Sequence, residues 1–279
     1  MQIHSTIEAM RAHSRAAQRD GKRIGFVPTM GALHEGHLSL VRAAKSRCEL
    51  VVASIFVNPT QFAPTEDLAK YPRNFDRDRQ LLEKEGIDAI FAPDVAEMYP
   101  VGATTWVNVD GLSEKLDGKS RPGHFRGVAT VVAKLFHAIE PDVAFFGQKD
   151  AAQVAIIRRM VRDLRFATEI VACPIVREPD GLAMSSRNAY LDSAQRKAAL
   201  VLSRSIQEVR RHFESGESDA PTLITLGKSV MASESAARLD YVEIVDPDTL
   251  DPLPQARQGA LVAVAAYIGT TRLIDNLIL

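Results

Sequence analysis

Cysteine is scarce in this sequence: Cys48 and Cys173 are the only two in 279 residues. Two thiols inside apolar runs make no disulfide framework, and without a CxxC spacing they suggest no metal. Both are read as small buried hydrophobes. A surplus of one charge is also missing, with 34 Lys+Arg against 35 Asp+Glu and a net charge of −1. Binding to a long nucleic acid rests largely on neutralised phosphates and leaves a basic surplus, so no nucleic-acid partner is expected. No apolar run approaches the roughly 20 residues of a membrane span. Met1 to Asp20 mixes charged and apolar residues and lacks the continuous core of a signal peptide. The expectation is a cytoplasmic protein with no membrane partner. Repeats and low-complexity segments are absent too. What is present, 46% hydrophobic and 25% charged residues, is ordinary globular material.

The first half alternates between strand-like and helix-like segments. Ile24–Val27, Leu50–Val57, Ala89–Phe91, Thr105–Val109, Val143–Phe146 and Ile170–Cys173 read as short strands. Between them, His37–Ser46, Asn74–Glu85, Val128–Ile139 and Ala151–Leu164 carry helical spacing. Strands apolar throughout, separated by helices, predict a parallel sheet covered on both faces, an α/β Rossmann-like doubly wound fold. Its sites are expected in loops at the carboxyl ends of the strands. After about Tyr190 the rhythm changes to two helices and then three strands, Leu239–Val245, Ala260–Ile268 and Arg272–Leu279. That predicts a smaller C-terminal α+β domain. The expected division is 1–178 and 179–279.

The strongest chemical signal is Pro28-Thr29-Met30-Gly31-Ala32-Leu33-His34-Glu35-Gly36-His37, which follows the first of these strands and opens a helix. Glycines at 31 and 36 let backbone approach a ligand, and a helix start offers free N–H groups and a positive dipole end to phosphate. The two histidines can donate to phosphate oxygens where charge develops. Met184-Ser185-Ser186-Arg187 adds hydroxyls and a guanidinium suited to further phosphates. Lys149 lies just past the strand ending at Phe146, within reach of a phosphate. Gln61, past Asn58-Pro59, is a neutral amide suited to a small polar acid.

His34-Glu35-Gly36-His37 resembles the His-x-Gly-His signature of the nucleotidyltransferase superfamily, and Met184–Arg187 resembles a shortened form of its second loop. Further stretches narrow the resemblance: Phe56–Phe62, Tyr71-Pro72-Arg73, Arg121–Gly127, Phe146–Gln153 and Arg177–Arg187. Together with Pro28–His37 they resemble the pantothenate synthetase family in order and spacing across most of residues 24–191.

That resemblance implies ATP-dependent joining of pantoate to β-alanine through a pantoyl-adenylate, by a homodimer. Met30, Gly31, Ala32, Leu33, His34, Glu35, Gly36 and His37 would line the ATP site, with His37 as proton donor. Gly147, Gln148, Lys149, Asp150 and Val176 would contact ATP, and Met184, Ser185, Ser186 and Arg187 would close over its phosphates. His37, His34, Lys149 and Arg187 are the expected catalytic set. Gln61, Gln153 and Arg121 are the expected substrate contacts. Asp76 and Asp78, of which Asp78 is the expected ligand, could meet the Mg2+ that accompanies ATP. The pattern departs at Arg77, where family members can carry an acid, and that weakens the expectation of a protein-held magnesium.

Overall fold

The computed structural model describes residues 1–63 and 66–279. The chain runs β1 (Gln2–His4), α1 (Ile7–Arg19), β2 (Ile24–Thr29), α2 (Glu35–Lys45), β3 (Leu50–Ile55), α3 (Phe75–Lys84) and β4 (Ala89–Phe91). It continues with α4 (Val95–Met98), α5 (Asp117–Ser120), α6 (His124–Ile139), β5 (Val143–Gly147), α7 (Ala151–Asp163) and β6 (Glu169–Cys173). The last part comprises α8 (Ser193–Glu214), α9 (Ala220–Ala232), β7 (Ala237–Val245), β8 (Leu261–Ile268) and β9 (Thr271–Ile278).

The first six strands form one sheet in the order β1-β4-β3-β2-β5-β6, parallel at every pairing. Side chains of successive strand residues point to opposite faces, and the packing follows that period. Ile24, Phe26, Val52, Phe91, Ala144 and Phe146 share a core with α1, α6 and α7. Val27, Val51, Ala53, Ile90, Val143 and Phe145 face the other way, onto α2 and α3. Both faces are covered, which is why these strands read as unbroken apolar runs. Cys48 and Cys173 are free and buried in the second of these cores, as expected.

From β2 the chain winds outward through β3 and β4, then returns to β5 on β2's other side. The order therefore reverses between β2 and β5, and a crevice opens there at the strand carboxyl ends. The three C-terminal strands make a separate antiparallel sheet, β7-β8-β9, backed by α8 and α9 around its own apolar cluster. Val245, Leu261 and Ala263 pack instead against the core of the first sheet.

One expectation needs correction, and one stretch went unread. Residues 105–109 are not a strand. The N–H of Val107 donates to Thr130 Oγ1 of α6 at 2.9 Å, and that of Val109 approaches Ser113 Oγ at 3.4 Å, so side chains take the place of a neighbouring strand. Residues 1–20 carry β1 and α1, which no sequence pattern announced.

Candidate active site at the β2–β5 switch point

Thr29 ends β2, and the chain turns sharply at Gly31 (φ +79°) and Ala32 (φ +51°) before α2 begins. Asp78, from the first turn of α3, holds that turn. Its two oxygens accept the N–H groups of Ala32 (2.8 Å) and Leu33 (2.9 Å). Arg77 completes the clasp by donating to the Leu33 carbonyl at 3.0 Å. Gly31 is required because a Cβ there would lie 2.9 Å from the Asp78 carboxylate. Asp78, the expected magnesium contact, is 1% exposed, and its carboxylate oxygens are used on the N–H groups of this loop. Among the described residues no group of three or more His, Cys, Asp or Glu could hold a metal ion.

Beyond the turn, the His34 and His37 rings lie 4.1 Å apart, centroid to centroid. The His34 N–H approaches His37 Nδ1 at 3.3 Å, which leaves Nε2 of His37 as the protonated nitrogen. Burial pushes His37 down to about 3, with His34 adding to the effect. Burial and the nearby Lys149 ammonium push His34 to about 4. Both rings are therefore neutral near pH 7. Gly36 leaves the His34 ring its place, since a Cβ there would sit 2.9 Å from that ring. Glu35 points elsewhere, pairing with Arg42 on the surface of α2.

At the end of β3, Pro59–Gln61 form one 3-10 turn capped by the Asn58 side chain. Asn58 Nδ2 donates to Gln61 Oε1 and to the Gly127 carbonyl, both at 3.2 Å, while its Oδ1 accepts from Tyr99 and Thr60 hydroxyls at 2.9 Å. This fixes the Gln61 amide so that, among the described residues, Nε2 meets the Met30 thioether, a weak acceptor. A ligand oxygen would be the better partner. His124 holds the backbone of Gln61: Arg121 donates to its Nε2 (3.0 Å), so Nδ1–H donates to the Gln61 carbonyl (2.8 Å). Arg121 is itself clamped on Glu66 through Nε and Nη2 at 2.7 and 2.8 Å. Arg121 thus faces the cavity with most of its donors committed.

At the end of β5, Gly147 leads into the 3-10 turn Gln148–Asp150. Lys149 Nζ is 3.3 Å from Asp150 Oδ1. Burial would raise the Asp150 carboxyl, but Lys149, Arg187 and His37 outweigh it and hold it below its ordinary value. Asn276 of β9 takes hold of this turn, donating to the Gln148 and Lys149 carbonyls at 3.0 and 2.8 Å. From β6 the chain passes Val176, whose carbonyl accepts the Met184 N–H, and closes the Arg177–Ala183 bridge. Arg177 anchors this loop on Asp275 of β9 through two bonds, 2.7 and 2.9 Å. Ser185 Oγ caps the turn that carries Ser186 and Arg187.

These segments surround a cavity of about 230 Å³ at the switch point. Met30, His34, Gly36 and His37 line it from β2, and Gln61, Arg121 and His124 from β3 and α6. Gly147, Lys149, Asp150 and Gln153 enter from β5 and α7, Val176 and Met184–Arg187 from the loop. A larger cleft of about 880 Å³ shares Lys149, Asp150, Gln153 and Arg187 and opens toward Arg272 and Tyr267 of the second sheet. Gly31, Ala32, Leu33 and Gln148 shape the walls from behind without lining either cavity, and Glu35 and Asp78 lie outside both.

Sequence reasoning misses Asn58, Tyr99, Glu66, Asp275 and Asn276. Asn58 alone carries a local signal, its position before Pro59; the rest act across separations of 41 residues (Tyr99 to Asn58) to 128 (Asn276 to Gln148), which no spacing reveals.

The profile of the family described as pantoate-beta-alanine ligase matches residues 2–278. A pantothenate synthetase of Koribacter versatilis is 61% identical over 279 residues, spanning 100% of this chain and 96% of its own length. One from Acidobacterium capsulatum is 64% identical over 258 residues, 92% of this chain and 86% of its own. The crystal structure of pantothenate synthetase from Thermus thermophilus superposes with a TM-score of 0.94 at 47% identity, covering 100% of this chain and 99% of that one. The pantoate-beta-alanine ligase of Francisella tularensis, solved with beta-gamma ATP and β-alanine, gives 0.80 at 35% identity, covering 100% and 97%. With its sheet order, its His34–His37 loop and these likenesses over its whole length, the chain belongs to the pantoate–β-alanine ligase family of enzymes.

Proposed function

We propose that the switch-point cavity joins pantoate to β-alanine in two steps through a pantoyl-adenylate. A pantoate carboxylate oxygen attacks the α-phosphorus of Mg–ATP; the bond to the bridging oxygen breaks and pyrophosphate leaves. The β-alanine nitrogen then attacks the acyl carbon, the acyl C–O bond to phosphate breaks, the amine loses a proton, and AMP leaves. The observation that carries this reading is the convergence of two neutral imidazoles, Lys149 and the Ser185–Arg187 turn on one cavity whose wall also presents Gln61 and Gln153. Neutral donors and one ammonium suit a phosphorus centre that gains negative charge, and amides suit the hydroxyls and carboxylate of pantoate without adding charge. In this reading His34, His37, Lys149 and Arg187 stabilise the leaving pyrophosphate. Magnesium arrives as part of the substrate, held by phosphate oxygens and water, which that ion favours.

No side-chain nucleophile is required, because AMP is already a good leaving group. The second sheet, in residues 179–279, supplies the phosphate-side loop, and residues 1–178 supply the rest. We read the enzyme as a cytoplasmic homodimer, and light scattering in solution checks the mass. Oxygen-18 in the pantoate carboxylate is expected in AMP, and its absence would exclude the adenylate. Pyrophosphate release from Mg–ATP is expected only when pantoate is present.

A further inference from the structure

β9 touches both arms of the site. Consecutive strand residues face opposite sides, and β9 is an edge strand of its sheet, so one side chain can serve each arm. Asn276, 3% exposed, uses both protons of its amide on the carbonyls of Gln148 and Lys149, and its Oδ1 accepts from Gln148 Nε2 at 3.3 Å. Asp275, equally buried, binds Arg177 with both oxygens and receives the N–H of Asn276 at 2.8 Å. Arg177 opens the loop that ends in Ser185–Arg187 and also donates to the Gly181 carbonyl at 3.0 Å. Neither β9 residue is needed for the sheet itself, whose pairing with β8 uses backbone alone. A buried Asn satisfied on three sides and a buried carboxylate satisfied by a fork of two donors are costly arrangements unless they fix something.

We propose that Asp275 and Asn276 are positioning residues for the first chemical step. They set the separation between Lys149 and the Ser185–Arg187 turn, so that both reach the phosphates of one nucleotide. This rests on the reading of those two groups as phosphate contacts. The second step involves an adenylate without β- and γ-phosphates and does not depend on that separation.

The two steps are measured apart, as pantoate-dependent exchange of pyrophosphate into ATP and as aminolysis of synthetic pantoyl-adenylate by β-alanine. Asn276→Ala is expected to lower kcat/KM for ATP in exchange on the order of 100-fold, the effect of roughly 1 Å of misplacement. Aminolysis is expected to stay within about threefold, because no transition-state contact of that step is touched. D275N, which weakens the hold on Arg177, is expected to act in the same direction. The double variant K149A/N276A should be no slower in exchange than K149A, since a residue acting through Lys149 then has nothing to position. Should N276A not fold, N276D, close to native volume but without the donors, carries the same comparison. Equal losses in both steps, or additive losses in the double variant, overturn the proposal. Exchange reduced in K149A but normal in N276A sinks the proposal alone; exchange normal in K149A sinks the phosphate reading with it.

Discussion

His34 and His37 stand where a phosphate is expected, yet burial holds them near 4 and 3, far under the ordinary 6.5. Each ring can donate a hydrogen bond at pH 7, but neither brings a positive charge; that is left to Lys149 and Arg187. Ring-proton NMR of the free enzyme is expected to show neither histidine titrating between pH 5 and 8, about the range where an unperturbed imidazole would titrate. Stability should follow. His34, His37 and His124 all have folded values below the unfolded one, so the unfolded chain binds more protons between about 4 and 6.5. The stability they contribute is complete above 6.5 and is lost as pH falls toward 4. Urea midpoints measured across that window should decline with acid, and less steeply in His124→Asn. A single methyl at residue 36 tests the histidine geometry. Gly36→Ala forces the His34 ring aside, and adenylation is expected to fall on the order of 100-fold with the fold intact by circular dichroism.

At the level of elements, α6 lies directly on the 58–61 turn. A Cβ at Gly127 would come 2.3 Å from the Thr60 carbonyl oxygen and 2.7 Å from the Gln61 nitrogen, backbone atoms with nowhere to go. Gly127→Ala should therefore cost about 1–3 kcal/mol of stability, the usual range for overpacking, and raise KM for pantoate by displacing Gln61. A denaturation curve that matches the parent would refute that account. The central strands and their helices were legible because β2, β3 and β5 are buried on both faces and read as apolar runs. β1 was not, having three residues at a sheet edge with Ile3 half exposed. In α1 the buried face is Met10, Ser14 and Ala17, too small and mixed to stand out as a stripe. Thr105–Val109 misled in the opposite sense: β-branched residues and Trp106 imitate a strand, while Trp106 lies under Arg126 with 4.8 Å from guanidinium to ring centroid.

The whole molecule is held across its two sheets by Arg272 of β9. It donates to Asp117 of α5 at 2.6 Å and to Asp240 of β7 at 2.8 and 3.0 Å, while Ser120 also binds Asp240 and the Tyr241 hydroxyl binds Asp117. Burial and the neighbouring Asp117 push the Tyr241 phenol well up, so it remains a donor. Arg272→Ala leaves two carboxylates facing each other with the guanidinium gone. The expected loss is about 3 kcal/mol, at the low end for a broken buried pair, because the arginine is 13% exposed. Urea unfolding measures it, and a loss under about 0.5 kcal/mol, the level of an ordinary surface change, would count against the network. This network and the Asn276 clasp join residues more than a hundred positions apart, so no motif announced them. The His34–His37 and Ser185–Arg187 segments were legible because each acts through its own local turn.

That dependence on β9 also has a bearing on time. Chains fold from the N-terminus during synthesis, at about 5–20 residues per second, so the first sheet is complete in sequence well before Asp275 and Asn276 exist. For roughly 6 to 25 s, the time needed at that rate to go from Lys149 to Asn276, the growing chain has its lysine but lacks the strand proposed to set it against the Ser185–Arg187 turn. On the proposal made for Asp275 and Asn276, a growing chain acquires its adenylation step only with its last strand.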